Sequence, residues 1–226
     1  MDIPQYLDNV RLAMLWFPLA AVLLFPPIWA LHRRRYGELH EYRLTISAFF
    51  IFYLMAAALF TILPLPVTTP EFCACMAKVS HLELTPAKSF HEIWRYAEKH
   101  GLGWTPGDLV RNFGFMQVPL NFLLLLPFGI FMRALFRTLL IDTLLLAFLV
   151  SLLFESTQFT GLWGFADCPY RLFDVDDLYF NTLGAGVGWL LWNIFFHIVP
   201  DPSAPEHEMW YRRWKTPPAG DGPRVP

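Results

Sequence analysis

The sequence predicts an all-α membrane protein, a polytopic bundle of about five transmembrane helices with a partly helical extracytoplasmic segment between the second and third. Three observations lead there. Of 226 residues, 55% are apolar and only 16% charged, against roughly a quarter charged in an ordinary globular chain. Several apolar runs approach the ~20 residues that a helix needs to cross the hydrocarbon core. Arginine and lysine also crowd into alternate connections, as in chains whose basic loops stay in the cytoplasm.

The first run, residues 12–31, lacks the basic leader and small-residue cleavage site of a signal peptide and is too long for one, so it reads as a retained span. Residues 44–63 form the second, and residues 1–63 make an N-terminal pair. Three more runs follow at 119–136, 139–159 and 178–199, the first short and the second interrupted by Asp142 and Glu155. Two connections and the tail, on one side, hold ten Lys or Arg; the longer connections on the other side hold seven. The N-terminus is therefore expected outside and the C-terminus in the cytoplasm. Cys73, Cys75 and Cys168 all fall outside in this topology, where a disulfide from Cys168 to one of the others is permitted and one thiol is left over. A net charge of -2 without a basic patch argues against nucleic acid as a partner.

Residues 64–118 are too many for a structureless loop. Thr85-Pro86 and Thr105-Pro106 each read as an N-cap followed by proline in the first turn, with Gly101 as a stop. Between them Phe90, Ile93, Trp94 and Ala97 recur at helical spacing, with charged residues on the remaining faces. This amphipathic helix lies on the membrane surface, lids the bundle, or packs on it for stability alone. His81, His91 and His100 match no zinc spacing and read as solvated. The proline-rich tail, residues 200–226, is expected to be largely disordered in the cytoplasm.

The informative residues break the apolar rule, because a charge in a membrane helix is normally turned inward and paired. Ser151, Glu155 and Gln158 share one face of the fourth span. Asp142 reads as an exposed end residue, and Arg133 as snorkelling to headgroups. In the third span Asn121 sits one turn from the outer end, Pro127 predicts a kink, and Gly129 admits a close neighbour. At the fifth, Asp174 as N-cap and Asp177 at N3 suggest a capping-box-like pair, with Asn181 and Gly184 on the same face. Gly184 and Gly188 form a small-xxx-small stripe. Asp176 points about 100° away and reads as a helix-start charge in water. Alternating helix directions bring Asn121, Glu155, Gln158, Asp174, Asp177 and Asn181 to one level, with Arg171 as counter-charge. The set reads as a functional polar pocket near the outer leaflet or as a hydrogen-bond network that specifies packing.

These motifs, "LNFLLLLPFGIFM", "SLLFESTQF" and "RLFDVDDLYFNTLGAGVGW", resemble the VanZ-like family of bacterial membrane proteins. The resemblance covers about residues 112–197 and falls on Asn121, Pro127, Gly129, Glu155, Gln158, Arg171, Asp174, Asp177, Asn181 and Gly184. It marks residues 119–199 as a VanZ-like three-span core and implies a role at the bacterial cell envelope, the founding member being associated with resistance to teicoplanin.

Three functions compete. A non-enzymatic protein would bind an envelope lipid or a lipid-linked cell-wall intermediate in the outer pocket. A membrane-embedded hydrolase or transferase would act on a lipid-linked phosphate or sugar, its carboxylates Glu155, Asp174 and Asp177 dividing acid and base work or holding a divalent cation. Transport would need a polar route inward, and nothing polar continues one except the distant Asp142. No resident cofactor is expected beyond that candidate cation, and the oligomeric state stays open.

Overall fold

A computed structural model describes residues 41–62, 69–78 and 81–195, with scattered positions between 11 and 34. The helices are α1 (Glu41–Ile62), α2 (Pro70–Met76), α3 (Lys88–His100), α4 (Pro106–Arg111), α5 (Phe113–Phe136), α6 (Leu140–Phe159), a single turn α7 (Gly161–Gly164) and α8 (Val175–Phe195). Two short strands, β1 (Leu82–Glu83) and β2 (Phe173–Asp174), pair in parallel. Among the described residues three helices are long and apolar enough to cross a membrane: Arg43–Ile62, Phe113–Phe136 and Leu140–Phe159. The third predicted span is thus longer at its start than the apolar run alone suggested. Helix α8 has 21 residues but is less apolar, because it carries Asn181, Thr182, Asn193 and three glycines. Half of the first predicted span lies outside the described residues, and its described positions are helical. The C-terminal tail lies outside them altogether.

Helices α5 and α8 form the tightest pair, for a reason visible in their glycines. A Cβ on Gly184 would lie 1.9 Å from the Phe122 carbonyl oxygen, and one on Gly188 2.0 Å from that of Leu126. From the other side, a Cβ on Gly129 would lie 1.8 Å from the Ala185 carbonyl oxygen. The backbones touch where side chains would otherwise stand, so dispersion contacts replace the hydrophobic drive that lipid does not supply. Around this seam Leu125, Phe128, Met132, Phe154 and Ala147 form the core, and α1 adds Phe50, Tyr53 and Leu54. Helix α5 continues as one helix through Pro119 and Pro127. The Tyr53 hydroxyl donates to the Leu124 carbonyl at 2.6 Å, putting a side-chain donor in the turn that the proline deprives of an N–H.

One end of the bundle carries α2 to α4 and is termed the capped end. At the opposite end Arg133 does not snorkel. Its Nε donates to Asn193 Oδ1 at 3.1 Å and its guanidinium lies 5.3 Å from the Trp189 ring centroid, a protein partner and an aromatic face together outcompeting headgroups. Asp142 is exposed, as expected, and accepts from the Leu139 N–H at the start of α6.

The capping segment is held to the core by a disulfide, Cys73 to Cys168, across a sequence separation of 95 residues, leaving Cys75 free and exposed. Closing a loop of that length is worth about 4 to 5 kcal/mol on the chain-entropy scale. Cys73→Ser should therefore speed limited proteolysis between residues 69 and 112 at least tenfold while α5 and α6 stay intact. Equal cleavage rates would show that the other contacts of the segment suffice.

Candidate polar site at the capped end

The start of α8 organises the site. Asp174 Oδ1 accepts from the Asp176 N–H at 2.9 Å, the N-cap geometry that its position suggested. The reciprocal half of the capping box does not form. The Asp174 N–H instead donates to Glu155 Oε2 at 3.2 Å, which leaves Asp177 to accept from Asn121 Nδ2. Glu155, Asp177 and Arg171 are near enough to act electrostatically on one another. Asn181 Nδ2 donates to Ser151 Oγ at 2.8 Å. Since 151 and 155 on α6, like 177 and 181 on α8, are four residues apart, this amide-hydroxyl pair lies one helical turn below the carboxyl pair.

Side chains from three helices therefore meet as the sequence suggested: Asn121 from α5, Ser151 and Glu155 from α6, Asp177 and Asn181 from α8. Glu155 is 4% exposed and Asn181 2%. The Asn181 Oδ1 atom is buried without a hydrogen-bond partner. Gln158 serves a different neighbour. Its Nε2 donates to the Thr61 carbonyl in the last turn of α1, satisfying a helix-end acceptor and tying α1 to α6. Among the described residues no three His, Cys, Asp or Glu side chains gather as a metal-binding group, so Glu155, Asp174 and Asp177 do not converge as a three-ligand cation site.

Asp176 corrects the sequence reading. It is buried, and its carboxylate accepts from the Ala87 N–H at 2.7 Å and the Ser89 N–H at 2.8 Å. Helix α3 accordingly starts at Lys88 behind Ala87 in the left-handed region, without a side-chain cap of its own, rather than at Thr85-Pro86. The remote carboxylate does what the threonine was expected to do, and it also meets the positive end of the helix dipole. Thr105-Pro106 and Gly101 do act as read, and Thr69-Pro70 opens α2 in the same way. Only the absence of a good cap before Lys88 could have hinted at Asp176.

Further contacts fix the segment over the site. β1 pairs with β2, so Glu83 lies beside Asp174, and Phe90 packs edge-on against Phe180. Buried Asn112 donates to the Ile93 carbonyl at 2.9 Å and caps α5. His91 and His100 are exposed, as read, the first beside Arg95 and the second against Tyr96, whereas His81 has a buried, unpartnered Nδ1.

Burial pushes the Asp174 carboxyl above its ordinary range, with Asp176 and Glu83 adding to the effect. An acid whose folded value is raised favours folding when protonated, and that contribution is lost as pH climbs from the ordinary aspartate value through the raised one. Asp174→Asn, which retains a capping oxygen, should therefore stabilise the protein at pH 7 and give no gain at pH 3. A thermal melt at both values checks this; an equal shift at both would contradict it.

A model of the VanZ/LLP1 family matches residues 50–196. The match begins further toward the N-terminus than the motifs that carry the resemblance, taking in the second half of α1 and the whole capping segment. No curated protein and no solved structure matches the chain.

Proposed function

The chain belongs to the VanZ/LLP1 family, and on that footing we propose that this membrane protein holds an envelope lipid or lipid-linked cell-wall intermediate in the polar cluster at its capped end. In this reading the capped end faces outward from a bacterial cytoplasmic membrane, the N-terminus is outside and the C-terminus cytoplasmic, in line with the bias of arginine and lysine. The observation that carries it is the unpartnered Asn181 Oδ1 beneath the Glu155–Asp177 pair. An orphaned acceptor costs about 1 to 3 kcal/mol, which a donor on a bound ligand would offset. A ligand hydroxyl or ammonium would fill that capacity, with Arg171 offering charge to an adjoining phosphate. A protein that sequesters such an intermediate would change what a glycopeptide such as teicoplanin meets at the cell surface.

Photo-crosslinking with envelope lipids tests this. Glu155→Ala and Asp177→Ala should each reduce labelling at least tenfold, while Asp142→Asn labels like the wild type. Undiminished labelling in a folded Glu155→Ala protein would overturn the reading.

The closeness of two carboxyl groups, Glu155 buried and Asp177 half-buried, also favours a second reading, a hydrolase or transferase on a lipid-linked phosphate or sugar in which they divide acid and base work. Turnover of an envelope lipid by the nanodisc-embedded protein, lost in Glu155→Gln, would establish it over simple binding.

A further inference from the structure

Helix α3 carries three stripes rather than two. At about 100° per residue, Ile93 and Ala97 form one, and both are buried against the bundle. Arg95 and Lys99 fall opposite, exposed as charges should be. Phe90 and Trp94 make a third stripe beside the buried one, yet they are 59% and 60% exposed. A lid facing water would carry polar residues there. Trp94 pairs with the equally exposed Trp104, their centroids 5.5 Å apart, which extends the aromatic face toward α4.

That face does not stand alone. Below it the exposed apolar side of α5 begins at Phe113 and continues through Leu120 and Leu123, on a helix apolar and long enough to cross a membrane. The aromatic residues thus crown a surface that lipid tails would cover. A second projection stands at the same end, after α6. The turn Gly161–Gly164 has positive φ at all four residues, including Leu162 and Trp163, and it presents Trp163 and the 94% exposed Phe165. Side chains strongly disfavour this backbone region, while the Thr160 hydroxyl accepting from the Trp163 N–H and the Trp163 indole donating to Thr157 hold it in place.

We propose that these two aromatic projections dock on the bilayer itself, seating the capping segment in the headgroup layer on two sides of the bundle. Tryptophan suits that depth because its ring is apolar and its N–H polar. The charged stripe of α3 then faces the aqueous side.

Nitroxide labels read this depth whether or not the polar cluster binds anything. In a Cys75→Ser background, labels at Trp94→Cys, Phe165→Cys and Lys99→Cys are compared in phosphatidylcholine–phosphatidylglycerol vesicles. Labels at 94 and 165 should collide several-fold more with oxygen than with a water-soluble nickel chelate, and the label at 99 the reverse. Equal nickel accessibility at all three overturns the proposal. A companion measurement keeps the fold intact. Trp94→Phe with Trp104→Phe should remove a substantial share of the fluorescence quenching produced by lipids brominated near the carbonyl region. Quenching unchanged from the wild type also overturns it.

Discussion

Gly184→Ala is expected to lower the melting temperature in detergent by ten degrees or more, and Gly184→Leu to leave no folded protein. The added Cβ would sit 1.9 Å from the Phe122 carbonyl oxygen, a backbone atom that cannot rotate away. Overpacking of a well-packed interior costs about 1 to 3 kcal/mol when side chains can give, and here the whole of α5 must move instead. That motion would also separate Gly188 from Leu126 and Ala185 from Gly129, so the loss is not local. Gly186 supplies the internal control. A Cβ there meets only the flexible end of Leu144 at 3.0 Å, and Gly186→Ala should melt within a few degrees of the wild type while gaining helix propensity. Equal effects of the two alanines would refute backbone contact between α5 and α8. The consequence reaches the site, because Asn121 and Asp177 stand on these two helices and meet only while the glycines let them.

Asp176→Ala should release the capping segment without unfolding the bundle. Two backbone N–H groups, those of Ala87 and Ser89, lose a charged acceptor. Hydrogen bonds to charged groups contribute about 1.5 to 3 kcal/mol each, and loss of an N-cap typically costs about 1 kcal/mol. A loss of about 2 kcal/mol corresponds to roughly thirtyfold faster hydrogen exchange in α3, with amides of α5 and α6 unchanged. Asp176→Asn, which keeps one acceptor oxygen, should fall between. Exchange in α3 indistinguishable from the wild type would show that β1–β2 pairing, Asn112 and the disulfide hold the segment unaided.

The features legible in the sequence are those with a local period or a local motif. Apolar runs gave the positions of α1, α5 and α6, and the i, i+4 spacing put Asp177 and Asn181, like Ser151 and Glu155, on single faces. Alternating helix direction then brought the faces to one level. Interactions between residues distant in sequence were not legible. Asp176 reads as a solvated charge until Ala87, 89 positions away, is seen beside it. Arg133 looks like a snorkelling cation until Trp189 and Asn193 arrive from α8. Gln158 belongs with the pocket by its spacing, but the end of α1 claims its amide. In each case a helix terminus or an aromatic face offered a better partner than water or headgroups, and helical periodicity carries no record of that offer.

In the proposed function Glu155, Asp177 and Asn181 hold an envelope lipid. Native mass spectrometry of the protein released from its own membrane tests it most directly. A lipid should be retained on the wild type and on Asp142→Asn and lost from Glu155→Gln with Asp177→Asn, a pair that preserves shape while removing both carboxylates. The same lipid retained in equal amount by that double variant would contradict it.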